Sequence, residues 1–248
     1  MPDKAIPAVS SKRLPFAEQI AFFKGKLNLP TEHWDDVLTT AHDRAFVVAG
    51  AQNADMLQDL RDAVDGAISE GQSIQQFRES FDAVVEKFGW SYTGARDWRT
   101  RVIYTTNMST SYSAGRHQQL QRFEFWKYKH NDSVAHPRPL HESWDGLVLP
   151  KTDPWWQTHF PPNGWGCRCR VVALTPAEAR AAGKTVAPDD GTYTKTDRDG
   201  VVHTIPRGID YGFDYAPGAP GNDWQPDYSR YSPELADALR QHLAAGAS

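Results

Sequence analysis

Up to about residue 122 the apolar residues of this chain recur at spacings of three and four, and beyond it they do not. That change of period constrains the fold more than any single motif. A stripe of period 3.6 buries one face of a helix, whereas a short aromatic run without it suits a strand. In PFAEQIAFFKGKL the stripe is Phe16, Ile20, Phe23 and Leu27. Thr31, after Pro30, reads as the N-cap of a second helix with Trp34 and Leu38 facing inward and Gly50 as its end. Leu57, Leu60, Val64 and Ile68 form the next stripe, stopped by Gly71. Ser73 and Gln76 make a capping-box pattern before Phe77, Phe81, Val84 and Phe88, and Gly89 closes that helix. A long helix is expected from Ala95 to Gln121, with Trp98, Val102, Thr105 and Tyr112 on its face. All of these stripes read as core packing rather than as a cofactor site.

After residue 122, FEFWKYKH reads as a strand. A stretch dense in Pro, Gly, His and Trp follows from Asn131 to Gly166, a length at which a loop is functional or locally packed. CRCRVVAL reads as a second strand. Thr175, Pro176 and Glu178 start a short helix ended by Gly183, and TYTKTDRDGVVHTI is a hairpin turning at Asp199-Gly200. Ser232-Pro233 opens a terminal helix with Leu235, Leu239 and Leu243 at spacings of four. The expected fold class is therefore α+β, an N-terminal helical half followed by a compact α+β domain with a small antiparallel sheet. The expected units are residues 1–122, mainly helical; 123–224, α+β; and 225–248, a helical tail.

Composition narrows the function classes. A hydrophobic share of 40% and a charged share of 23% are those of an ordinary soluble globular chain. The net charge of −4 argues against a nucleic-acid coat with a basic face. No apolar run reaches the length of a membrane span, and MPDKAIPAVSSKRLPFAEQ has no apolar signal core. Two cysteines in 248 residues make no disulfide framework, so a reducing cytoplasm is the default compartment.

Both cysteines lie in PPNGWGCRCR, separated by one arginine. A disulfide between Cys167 and Cys169 would close a very small, strained ring. On a strand edge the two thiolates would point to one side and suit a shared zinc ion, which needs two further ligands. His130, His136, His141 and His159 lie just upstream. His141 is the first choice, and His136, five residues before it, ranks ahead of His159 and His130 as the fourth ligand; Pro137 and Pro139 between the two favour an extended turn. Two other readings stay open. The thiols are small buried side chains that help a strand pack, or one is a nucleophile whose thiolate Arg168 and Arg170 would favour. A His141 acid–base pair with Glu142 or Asp145 is open too. No phosphate-cradling glycine loop, HExxH or Ser-His-Asp pattern is present.

Several uncommon elements then occur in order. They are Arg101, Ile103 and Thr106 on the long helix; the aromatic strand FWKYKH; Arg138, His141 and Gly146 in HPRPLHESWDG; and Pro161, Pro162, Cys167, Arg168 and Cys169. This arrangement, over roughly residues 95–175, resembles the phage Mu F-like family of head morphogenesis, or minor head, proteins. IDYGFDYAPG resembles the tail of many members. One departure is His136, which stands where many members carry another residue type and so is weakened as a ligand.

The resemblance implies a minor head protein acting in head morphogenesis, in the virion head interior and, during assembly, the host cytoplasm. Its implied partners are portal protein and capsid or scaffold proteins, with packaged DNA as a further candidate and no membrane. No cofactor is implied except the zinc ion the thiols suggest. The alternative is an enzyme or toxin-related domain, nuclease- or ADP-ribosyltransferase-like, using the His-rich loop, because domains of this family occur fused to toxins. The expectation that little room for a toxin domain follows residue 224 favours the assembly reading, in which the chain is not an enzyme.

Overall fold

The computed structural model describes residues 16–134, 136–221 and 223–245; the stretch read for a signal core lies, up to residue 15, outside them. The fold is α+β, with its long helices in the N-terminal half. Helix α1 (Ala17–Lys24) leads into a two-residue strand β1 (Leu27–Asn28), a one-turn helix α2 (Ala41–Arg44) and β2 (Ala45–Phe46). Helices α3 (Ala54–Ser69), α4 (Ile74–Phe88) and α5 (Arg96–Leu120) follow. Among the described residues no helix is long and apolar enough to cross a membrane.

The capped stripes fold as the local chemistry dictates. Asn53 accepts the Met56 amide at the start of α3, and Ser73 and Gln76 form the reciprocal capping box of α4. Gly89 ends α4 at φ +59°, a left-handed position that favours glycine. Leu57, Leu60, Val64, Phe77 and Phe81 meet in one core with Phe23 and Ile103.

Three expectations fail in this half. Leu27 lies in β1 and not on the first helix, which ends at Lys24 with Gly25 as its cap. Residues 31–40 form no helix, and Trp34 is 43% exposed. The Asp36 carboxylate takes the amides of Glu32 and His33 at 2.8 and 2.9 Å, which closes a local side-chain turn. The segment is instead the crossover between β1 and β2, which pair in parallel. Helix α5 also turns a different face inward: Ile103, Thr110, Ala114, His117 and Leu120 are buried, while Trp98 and Tyr112 are exposed. Its inward hydroxyls bond back to the helix, Thr110 to Thr106 O and Ser111 to Asn107 O, so polar residues can face the interior. Small residues there admit α1; a Cβ on Gly115 would stand 2.8 Å from the Gln19 amide nitrogen and the Phe16 ring.

In the second half β3 (Phe125–Lys129) is the central strand of an antiparallel sheet, between β4 (Val148–Pro150) and β5 (Arg170–Leu174). Trp126 and Tyr128 point into the core and alternate with Phe125, Lys127 and Lys129. The stretch 131–166 is not a plain loop: it carries α6 (Pro139–Ser143), β4 and α7 (Trp156–His159) and supplies Trp144, Trp155, Trp156 and Phe160 to the core. Beyond β5 come α8 (Pro176–Arg180), with its Thr175–Glu178 capping box, and the β6–β7 hairpin (Thr192–Thr196 and Val202–Pro206), which turns through Gly200 at φ +82°.

The terminal helix α9 (Pro233–Ala245) packs Leu239 and Leu243 onto Leu27, Leu29 and Val37, so the tail returns to the N-terminal strand pair. Arg198 at the hairpin tip and Arg230 near the tail both pair with Asp36.

Candidate metal centre at the Cys-Arg-Cys loop

Three chain segments converge at the far end of β3. The first is β3 itself, whose last residue is followed by His130. Asp145 folds the chain back there, accepting the His130 amide at 2.7 Å and the Lys129 ammonium at 2.8 Å. The second is α6, begun by Pro139 at its first turn, where the missing amide costs nothing. It carries His141, 2% exposed and stacked on Trp144 at 5.1 Å. The third is the loop ahead of β5.

A polar frame shapes that loop. Pro161 and Pro162 are buried and joined by a cis peptide. Asn163 is fully buried and accepts the Tyr128 hydroxyl at 2.9 Å. Arg138 binds the Asp210 carboxylate at 2.8 Å and the Trp165 carbonyl at 3.1 Å, and Asp210 also takes the Trp165 amide at 2.9 Å. Gly164 lies against this pair so closely that any Cβ would overlap both side chains. Cys167 and Cys169 come before β5 rather than on it, so their thiols converge through this turn and not through a strand pleat.

The His141 Nε2 lies 2.7 Å from the Gly208 carbonyl oxygen. A carbonyl only accepts, so Nε2 carries the hydrogen and Nδ1 presents its lone pair. That Nδ1 stands 3.7 Å from the Sγ of Cys167 and 3.7 Å from the Sγ of Cys169. All three donor atoms lie within 4.8 Å of one another, a grouping that could hold a metal ion. His130 Nδ1 is 3.5 Å from the Cys169 sulfur, and the residue is 4% exposed. The neighbouring Cys169 thiol lowers Cys167 against the effect of burial, and Cys169 is pushed up by the same pairing and by burial. The pair thus releases one proton readily and the second with difficulty.

His141 is brought to Cys167 and Cys169 as expected. His136 is exposed and borders the open cleft beside the thiols, while His159 stacks on Trp155 at 4.3 Å. Neither nitrogen of His141 faces Glu142, which is exposed, or Asp145, which is engaged by Lys129 and His130. The acid–base pairing is therefore absent from this geometry. Arg168 and Arg101 are exposed, Thr106 is half-buried on α5, and Gly146 turns the chain into β4 at φ +80°. Sequence reasoning missed Asp210, Asn163 and Gly208. The last acts through a backbone carbonyl, which leaves no side-chain signal, and Asp210 is more than forty residues from the loop it braces.

Residues 58–172, from within α3 to within β5, match the family model described as Phage Mu protein F like protein. Over this region the chain belongs to the Mu F-like family. It is 34% identical over 209 residues to the "Putative capsid assembly protein F" of Escherichia phage Mu, covering 75% of this chain and 46% of that protein. It is also 34% identical over 177 residues to the "Mu-like prophage FluMu F protein" of Haemophilus influenzae, covering 65% of this chain and 42% of the relative. The chain thus spans about half the length of the curated relatives it matches. No solved structure matches the chain. The thiols, His130 and His141 all fall inside the Mu F-like region.

Proposed function

We propose that this chain is a minor head protein that acts in head morphogenesis. In this reading it works with portal and capsid or scaffold proteins at the head interior, after assembly in the host cytoplasm, and packaged DNA is a further candidate contact. The observation that carries the reading is the match to the relative named as a putative capsid assembly protein, over three quarters of this chain. The surface supports it. Trp34, Trp98 and Trp165 are 43%, 54% and 41% exposed and border one apolar cleft with Val102, Tyr211 and Phe213. Aromatic side chains left half in water are the groups that anchor protein contacts. The commitment of both His141 ring nitrogens away from any carboxylate speaks for an assembly role over catalysis.

The test is to induce the phage with and without the gene. Mass spectrometry of purified proheads is expected to find the protein, and its loss is expected to lower the yield of infectious heads. Proheads that lack the protein, together with nucleic-acid cleavage or target modification that His141→Ala abolishes, would replace this reading with the enzymatic one.

A further inference from the structure

We propose that His130, His141, Cys167 and Cys169 form a Cys2His2 zinc site that ties the end of β3, helix α6 and the Cys-Arg-Cys loop into one unit. The first support is spacing. A tetrahedral zinc ion with bonds of about 2.3 Å to sulfur and about 2.0–2.1 Å to nitrogen sets its sulfur–nitrogen edges at about 3.5 Å. His141 Nδ1 stands 3.7 Å from each sulfur, and these three donor atoms lie within 4.8 Å of one another; His130 Nδ1 stands 3.5 Å from Cys169 but outside that grouping, so its ring must close inward to complete the tetrahedron.

The second support is stoichiometric. His141 Nδ1 has one lone pair, because the hydrogen sits on Nε2, yet two sulfurs stand equally far from it. A single ion between the three atoms would take that lone pair and both sulfurs at once. The Gly208 carbonyl is the outer partner that a metal-bound imidazole ordinarily has, fixing both tautomer and ring direction.

His130 carries the choice of fourth ligand. It is 4% exposed, its Nδ1 faces a sulfur, and among the described residues its Nε2 has no hydrogen-bond partner. Burying an imidazole with so little compensation is costly, and ligation at Nδ1 offsets that cost. His136 is exposed at the rim of the same cleft and reaches the solvent instead. Two thiolates with two imidazoles select zinc over the oxygen-seeking magnesium and calcium ions. Four protein ligands leave no open position, so the ion is structural: it would brace the loop that presents exposed Trp165 and Arg168.

The test uses the full chain purified without a histidine tag. Elemental analysis is expected to find one zinc per chain, and replacement by cobalt(II) should give the intense visible spectrum of a tetrahedral thiolate site. His130→Ala is expected to weaken zinc binding by about 100-fold or more, as removing a direct ligand should cost no less than removing an outer partner. His136→Ala should leave binding unchanged. Because the His130 variant could unfold for other reasons, the wild-type chain is also melted with and without a chelator, and chelation is expected to lower the transition. Wild-type protein that holds no zinc, gives no tetrahedral cobalt spectrum and melts identically with chelator overturns the site. Loss of binding in the His136 variant but not in the His130 variant overturns the assignment of the fourth ligand.

Discussion

The core beneath α3, α4 and α5 and the core beneath the β4–β3–β5 sheet are built by different means. The first joins Leu57, Leu60, Val64, Phe77 and Phe81, each supplied by a stripe on a capped helix. The second joins Trp126, Tyr128, Trp144, Trp155, Trp156 and Phe160, drawn from elements of five residues or fewer and the turns between them. What replaces helical order there is a set of long-range polar bonds: Tyr128 to Asn163, Trp144 to Asp190 and Arg138 to Asp210. Helices satisfy their own backbones and need only an apolar face. Short irregular segments must be positioned by side chains, so Trp126, Tyr128, Trp144 and Trp156 each carry a hydrogen bond as well as bulk.

Truncating the two cores should produce the largest effects. Phe81→Ala and Trp144→Ala are each expected to cost about 3–5 kcal/mol in denaturant unfolding. The milder changes separate the regions. Phe81→Leu should cost less than about 1.5 kcal/mol, whereas Trp144→Phe strands the half-buried Asp190 carboxylate and should cost about 1–3 kcal/mol. Equal mildness of the two would erase the distinction drawn between the cores.

Asp210→Ala comes next. It removes one acceptor from both Arg138 and the Trp165 amide, with an expected cost of about 1–3 kcal/mol. Hydrogen exchange should accelerate at Trp165 and its neighbours while α3 and α4 stay protected. Uniform acceleration across both cores would show that the loop frame is not a local device.

His117 joins the two regions, packing from α5 against Trp126 and Phe160. Burial pushes it down from 6.5 to about 4. Between those pH values the unfolded chain binds the proton and the folded chain does not, so this group makes stability rise with pH up to about 6.5 and level off above. His117→Gln should remove up to about 1.4 kcal/mol per pH unit from the slope. Asp43, pushed up to about 6 by its burial, works the other way between pH 3.8 and 6, so the variant must be compared with the wild-type curve and not with a flat line.

The smallest expected effects are at the caps. Ser73→Ala should cost about 1 kcal/mol, because α4 carries a core face. Thr175→Ala should cost less, because α8 is a largely exposed single turn. Comparable losses would mean that α8 supports the sheet more than its burial suggests.

The sequence was legible wherever structure is local. The boundaries of α3 and α4, the Thr175 capping box, the β3 strand and the hairpin at Gly200 all follow from period, caps and turn residues. It misled at residues 31–40, where Asp36 closes a local side-chain turn, and on α5, whose inward face is polar and small and so leaves no hydrophobic stripe to read. At the thiols, the residue types and their order pointed to His141 with Cys167 and Cys169, because thiolate and imidazole are the donors zinc selects.

Residue types and short-range spacing thus determined which elements form, and which side chains could share an ion. The tertiary structure decided which histidine stands beside Cys169, that Gly208 orients the His141 ring, and that Asp210 braces the loop. Those outcomes depend on where distant segments cross, and spacing along a chain carries no information about a crossing until the cores that enforce it have packed.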